Sequence, residues 1–297
     1  MARLAPLDFP AFVRERTTAG FAGTSGGAHA YAYASDRTTR SAFERAKPVE
    51  LVVSASVRLF KNAGKAQLLG QAVKIGPRQF PRVHALARRC SDTLGIAPPT
   101  VYVTSSPHLN AATYGTNDDA FILLNSALVD HYSDEELLSV IGHECGHVHN
   151  NHVVYLTTLH YLTSVAGLFV RHASAPAQLA LRAWSRRAEI TCDRAAVLCA
   201  GSVEPALRAL TKLALGSHKL YDELNLDAFI DQHDEAQSSI GRFAEIFATH
   251  PFLPKRVLAL QIFCESELYR RHTNSGEGGL SMSQVDEKVE KLVKVLG

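Results

Sequence analysis

Along this chain, apolar positions switch from alternation to helical spacing at several clear points. Val101 and Val103 alternate with Tyr102, which predicts a short strand over Thr100–Thr104. Two further strands are predicted at Asn110–Gly115 and Ala120–Asn125, joined by a turn at 116–119. Leu137, Leu138, Val140 and Ile141 then supply the apolar face of a helix. Ser133-Asp134-Glu135-Glu136 stands just ahead as a capping box, with Ser133 as N-cap and Glu136 at N3.

Other helices are predicted over 49–75, with Leu51, Leu59, Leu68 and Val73, and over Phe80–Leu94, with Gly95 as its stop. Pro77 ends the first of these, because proline disfavours helix at the residue before it. More helices are expected at 183–200, 203–215 and 219–230, the last two separated at Gly216 and Ser217. VVYLTTLHYLTSVAGLFV, at 153–170, is the most apolar run and has 18 residues, the threshold for a membrane span. Thr157, Thr158, His160, Thr163 and Ser164 interrupt it, so a buried helix is expected, with membrane or partner contact as the alternative.

Residues 1–50 are rich in Ala, Gly, Ser and Thr and read as loop, with a short strand at Ala30–Ala34. They form a partly ordered leader, 1–48; a sharper reading lays the leader over an active site with His29 or Tyr31 near a metal. One domain is expected over 49–272. A flexible linker and a short helix follow over 273–297, the helix running Gln284–Leu296 with Val285, Val289, Leu292, Val293 and Leu296 on its apolar side. That helix docks in cis or on a partner. Helices around a small sheet make the fold class α+β, helix-dominated.

Composition narrows the classes of function. The chain has 297 residues, 46% hydrophobic and 20% charged, as a globular protein does. A net charge of +2 makes no electrostatic case for nucleic acid. Five cysteines, an odd number with no C-x-x-C pair, read as reduced thiols; Cys145 and Cys192 are expected to be small buried residues. The first residues lack an apolar secretory core, so a cytoplasmic location is expected, with peripheral membrane contact through 153–170 as the variant.

The chemistry concentrates in LLSVIGHECGHVHNNH, 137–152. His143, Glu144 and His147 have the spacing H-E-x-x-H, which puts both imidazoles on one helix face, one turn apart. Two such histidines can hold one zinc ion, with Glu144 beside it as a general base. Gly142 and Gly146 each cost about 1 kcal/mol relative to alanine in a helix; close approach of another backbone or of substrate explains them. His149 and His152 fall off the ligand face and are expected at the surface.

A third ligand is expected from the 183–200 helix. Glu189 and Asp193 are spaced i,i+4 in an apolar surround, where acids are costly unless paired or bound to metal. Glu189 then completes the zinc site, and Asp193 accepts the free ring N–H of a ligand histidine. The alternative is a solvated acidic pair among Arg186, Arg187 and Arg194.

HECGH followed by an E-x-x-x-D helix resembles the HtpX-like and CAAX-prenyl-protease-like zinc metallopeptidases of the gluzincin type. LGIAPPTVYV, the block from Asn110 to His152, and HPFLPKR at His250–Arg256 resemble the same family, over roughly 80–262. The resemblance implies a zincin-like catalytic domain, one zinc ion per chain and a polypeptide substrate. It implies that an edge strand beside the zinc helix, sought here in AFILLN, holds substrate, with Asn110, Ala111 and Ala112 on the cleft rim. It makes His250 a group that holds the oxyanion or closes the metal site at rest. Arg256 is expected to fix that segment against a carboxylate. The reading is a zinc endopeptidase; the alternatives are a gated or inactive zinc-holding quality-control or binding module, and a zinc hydrolase acting on a non-peptide bond.

Overall fold

A computed structural model describes residues 30–45, 53, 55, 66 and 70–293, apart from 117–118, 166–167, 216–217, 222, 237–247 and 249. Most of the predicted 49–75 helix, His29, the tip of the 116–119 turn and the C-terminal end of the last helix lie outside these residues.

The sheet has four strands: β1 (Ala72–Lys74), β2 (Thr100–Thr104), β3 (Ala111–Gly115) and β4 (Ala120–Asn125), in the order β1-β2-β4-β3. β2 and β4 run parallel, with Val101 opposite Ile122, whereas β1 and β3 pair antiparallel at the two edges. The AFILLN strand is therefore interior, and the edge belongs to β3. The reason is visible in burial: Phe121, Ile122 and Leu124 of β4 are buried, which suits a strand flanked on both sides. The end of the predicted 49–75 helix is strand β1 instead.

The helices used below are α1 (Ala34–Arg45), α2 (Pro81–Leu94), α3 (Ser126–His131), α4 (Asp134–His149), α5 (Val153–His160), α6 (Leu168–Ala173), α7 (Ala175–Ala200), α8 (Glu204–Leu215), α9 (His218–Tyr221), α10 (Leu226–Ala236), α11 (Leu253–Cys264), α12 (Glu267–Thr273) and α13 (Met282–Val293). Helix α4 begins on the expected capping box: Ser133 Oγ accepts from Glu136 N at 3.3 Å, and Glu136 Oε2 accepts from Ser133 N at 2.8 Å. Helix α2 starts with Pro81 and stops at Gly95 in the left-handed region, φ 67°.

Several expectations change in three dimensions. The expected strand at Ala30–Ala34 is absent; α1 starts there and lies against α7 and α13. The apolar run 153–170 is divided into α5, a π-helical turn at Tyr161–Val165 and the start of α6, and among the described residues no helix is long and apolar enough to cross a membrane. The helix expected at 183–200 starts at Ala175, and that at 219–230 divides into α9 and α10. The expected linker is partly tied down: Leu280 N donates to Glu265 O at 2.9 Å, and Leu280 O accepts from Glu267 N at 3.0 Å. Helix α13 then docks in cis, with Val285 and Val289 fully buried in the main core.

The centre of the packing is α4 against α7. A Cβ on Gly142 would lie 2.6 Å from Cys199 Cβ, and one on Gly146 would lie 2.8 Å from Ala195 Cβ. Both glycines thus let the backbone of α7 close on α4, which is what brings the second set of acids to the histidines.

Candidate metal centre

His143 and His147 stand one turn apart on α4, and Glu189 faces both from α7. His143 Nε2 is 3.5 Å from Glu189 Oε2, and His147 Nε2 is 3.6 Å from Glu189 Oε1. One ligand atom from each of the three lies within 4.8 Å of the others. Glu189 is 2% exposed and Asp193 3%, while Arg194 is buried too, so the solvated acidic pair does not occur. Two imidazole nitrogens and a carboxylate suit zinc. Glu189 Oε2 lies near His250 Nδ1, Arg256 Nη2 and His143 Nε2, so the carboxylate is held in its ionised form, the form that binds a metal.

The ring of His143 is held from behind. Its Nδ1 lies 3.1 Å from Asp193 Oδ1. That contact places the ring proton on Nδ1 and leaves the Nε2 lone pair toward Glu189. Asp193 in turn takes a two-pronged bond from Arg256: Nε to Oδ2 at 2.8 Å and Nη2 to Oδ1 at 2.6 Å. Arg256 thus finds its carboxylate, and its Nη2 is also 3.2 Å from Glu189 Oε2.

Burial and charge pull against each other in this cluster. Burial alone would raise the Glu189 carboxyl, but His250, Arg256 and His143 hold it well below its ordinary value. Asp193 follows the same pattern, with Arg256 and His143 outweighing burial. His143 would be lowered by burial, yet Glu189 and Asp193 raise it. His147 is lowered, because burial exceeds its bond to Glu189. A neutral imidazole is the form that binds metal.

Glu144 sits on the same side of α4 and is 6% exposed. Thr113 Oγ1, on edge strand β3, donates to Glu144 Oε2 at 2.5 Å. An apolar cleft of about 220 Å³ opens beside these groups. Asn110, Ala111, His143, Glu144, Glu189 and His250 all line it, with Tyr132, Val140, Ala209, Leu210 and Leu253 on the apolar side. Ala112 is not among its lining residues, since successive side chains of β3 leave opposite faces of the sheet. His250 Nδ1 is 2.8 Å from Glu189 Oε2, and its side chain is 59% exposed. Tyr31 does not line the cleft. It is buried on another side of α4, where its hydroxyl lies 3.0 Å from His149 Nδ1 and accepts from Asn150 Nδ2 at 2.9 Å. Cys145 and Cys192 are buried, as expected.

His152 corrects the sequence reading most directly. It is fully buried, not a surface residue. Helix α4 stops at His149, and Asn151 takes a left-handed conformation, φ 58°. His152 N then donates to His147 O at 3.0 Å, and Asn151 N to Val148 O at 3.2 Å, closing a Schellman turn. The chain doubles back and lays His152 on His147. The Asn150-Asn151 pair is the local signal for this turn, because asparagine tolerates φ > 0 better than most residues. Thr113, which touches Glu144, carries no such local signal.

The description of peptidase family M48 matches residues 77–262. The chain is similar to the plastoglobule-localized metallopeptidase 48, chloroplastic, of Arabidopsis thaliana, at 35% identity over 178 residues, covering 58% of this chain and 52% of that protein. It is also similar to a Protease HtpX homolog of Moorella thermoacetica, at 26% identity over 64% of this chain and 74% of that protein. Protease HtpX homolog 1 of Streptomyces coelicolor is 28% identical over 60% of this chain and 69% of that protein. The matched region thus spans about half the length of the plant relative and a larger share of the two HtpX homologues.

Proposed function

Because this chain belongs to peptidase family M48 and gathers His143, His147 and Glu189 around one point, we propose that it is a zinc-dependent endopeptidase. The observation that supports the reading is that Glu144 lines the same cleft as His143 and Glu189, with Thr113 Oγ1 donating to its carboxylate. His143, His147 and Glu189 hold the ion. Zinc bound there supplies Lewis acidity, polarising the scissile carbonyl and bringing the pKa of water toward about 7.

The protein's own groups do the rest. Glu144 takes a proton from the attacking water and later delivers it to the leaving amine. Asp193 and Arg256 keep His143 in the tautomer that presents Nε2. Strand β3, at the sheet edge with Asn110 and Ala111 on the cleft, receives the substrate backbone in extended form, where main-chain hydrogen bonds give affinity with little dependence on sequence. The apolar wall of Tyr132, Val140 and Leu210 accepts an apolar substrate side chain next to the bond that is cut. His250 reaches Glu189 from the open side of the cleft, so it swings to the developing oxyanion when substrate enters.

The test is Glu144→Gln with zinc content and casein cleavage measured together. The variant retains zinc and loses turnover. Cleavage at the wild-type rate would remove Glu144 from the mechanism. A second reading, a gated zinc-holding module, draws on the 2.8 Å contact of His250 with Glu189. Wild-type protein that holds zinc and cleaves only after His250→Ala would favour it.

A further inference from the structure

His147 has a second ring nitrogen that the metal site leaves over. With Nε2 facing Glu189, its Nδ1 lies 3.2 Å from His152 Nδ1. His152 Nε2 lies 3.0 Å from Asp36 Oδ2, and Asp36 is 1% exposed. We propose that Asp36, acting through His152, is a positioning residue for the metal ligand His147, so that helix α1 is a working part of the metal centre. The proposal rests on the zinc reading of the site.

A metal on His147 Nε2 sets the proton assignment. An imidazole that gives Nε2 to a metal carries its proton on Nδ1 and must donate it. His152 Nδ1 can accept that proton only if His152 carries its own on Nε2. Nε2 lies 3.0 Å from a carboxylate oxygen, Asp36 Oδ2, whose charge favours a proton there even though the N–H is not well aligned on it. Each contact then has one donor and one acceptor, and the chain ends on an anion.

The anion is itself built in. Trp184 Nε1 donates to Asp36 Oδ1 at 2.8 Å, and Thr191 Oγ1 donates to Asp36 Oδ2 at 2.7 Å. Thr191 Oγ1 accepts from Tyr33 N at 3.1 Å, which orients its hydroxyl toward Asp36. Trp184, Thr191 and His152 are all fully buried. An isolated carboxylate there would cost several kcal/mol, so two hydrogen-bond donors and the nearby His152 ring mark a site for the ionised acid. Cys192 Sγ touches both rings, 3.2 Å from His147 Nδ1 and 3.7 Å from His152 Nδ1. A thiol is a weak acceptor and lies at the end of no such chain.

Asp36 is in the first turn of α1, outside the region matched by the family description, and 111 positions before His147. Its donors come from α7 and from the turn after α4. Docking of α1 and orientation of His147 are therefore one event. Asp193 and Arg256 do the same for His143 from the other side. Residues 30–45 are thus a brace behind the metal rather than a lid over it.

The experiment is zinc affinity of the full chain, by competition with a chromophoric chelator, beside thermal unfolding of the metal-free protein. Asp36→Asn keeps the shape and removes the charge; zinc affinity is expected to fall about 10–100-fold. Thr191→Val, a milder change, removes one donor to Asp36 and is expected to lower affinity by a smaller factor. Gly201→Ala is the control: it strains the left-handed cap that ends α7, away from the chain of hydrogen bonds. It lowers the unfolding temperature and leaves zinc affinity unchanged. Wild-type affinity in both Asp36→Asn and Thr191→Val would overturn the inference and leave the zinc reading standing. So would a second tightly held zinc that Cys192→Ser abolishes, because His147 Nδ1 and His152 Nδ1 would then be ligands. No zinc in the wild type would instead remove the reading on which the inference rests.

Discussion

Thr113 Oγ1 donates to Glu144 Oε2 across 2.5 Å and lies 3.3 Å from Glu144 O, so strand β3 grips the glutamate at both its side chain and its backbone. The strand proposed to receive substrate and the residue proposed to move the proton are thereby one rigid unit. Thr113→Val keeps the β-branched shape and removes the donor. A net hydrogen bond of about 1 kcal/mol corresponds to a loss of roughly fivefold in kcat, with zinc content unchanged. Thr113→Ser should recover most of the rate. Steady-state kinetics with a fluorogenic peptide decides the matter, and a Thr113→Val enzyme of full activity would separate the two residues.

Arg256 bears on both acids of α7. It binds Asp193 in two-pronged fashion and reaches Glu189 at 3.2 Å. Arg256→Met leaves two buried carboxylates short of a partner, a change that costs about 3–5 kcal/mol. Calorimetry of the metal-free variant should show the loss. Arg256→Lys restores the charge without the planar fork, so its recovery should be partial.

The two glycines of α4 face α7 at distances no side chain fits. Gly146→Ala would push a methyl to 2.8 Å from Ala195 Cβ. Overpacking of this kind costs about 1–3 kcal/mol, against a gain of about 1 kcal/mol in helix propensity. The expected outcome is lower stability together with weaker zinc binding, since separating the helices draws Glu189 away from the histidines. Gly201→Ala, at a left-handed cap with no neighbour near its Cβ, should lower stability through backbone strain alone and spare the metal.

Acid should unfold the metal-free chain more readily than its net charge suggests. Burial alone would raise Asp36, but His152, Thr191 and Trp184 hold its carboxyl below the ordinary value. Glu189 and Asp193 are depressed too, with neighbouring cations outweighing burial. A carboxyl whose folded pKa is lowered stabilises the fold above its unfolded pKa, and that stability is lost as pH falls through the folded value. Denaturant midpoints measured from about pH 6 to about pH 3 should therefore drop steadily through the carboxylate range. In Asp36→Asn the drop should be smaller; an identical slope would mean that Asp36 titrates alike in both states.

The amino-acid order alone determined what depends on neighbours within a few positions. H-E-x-x-H sets two imidazoles one turn apart on any helix, Glu189 and Asp193 share a face for the same reason, and Ser133 with Glu136 caps α4 through bonds three residues long. Strand β2 followed from alternation, and β3 and β4 from apolar runs around a turn, close to their observed bounds. Helical angle misled at His152, because the helix had already ended and the left-handed Asn151 turned the chain back. The tertiary structure alone decided the rest: that β3 rather than β4 is the edge, that Thr113 orients Glu144, that Arg256 takes Asp193, and that Asp36 closes the path behind His147. Those contacts join elements 31 to 155 positions apart. No periodicity within one element reports them, since they arise only when glycine-faced helices pack closely enough for buried polar atoms to need one another.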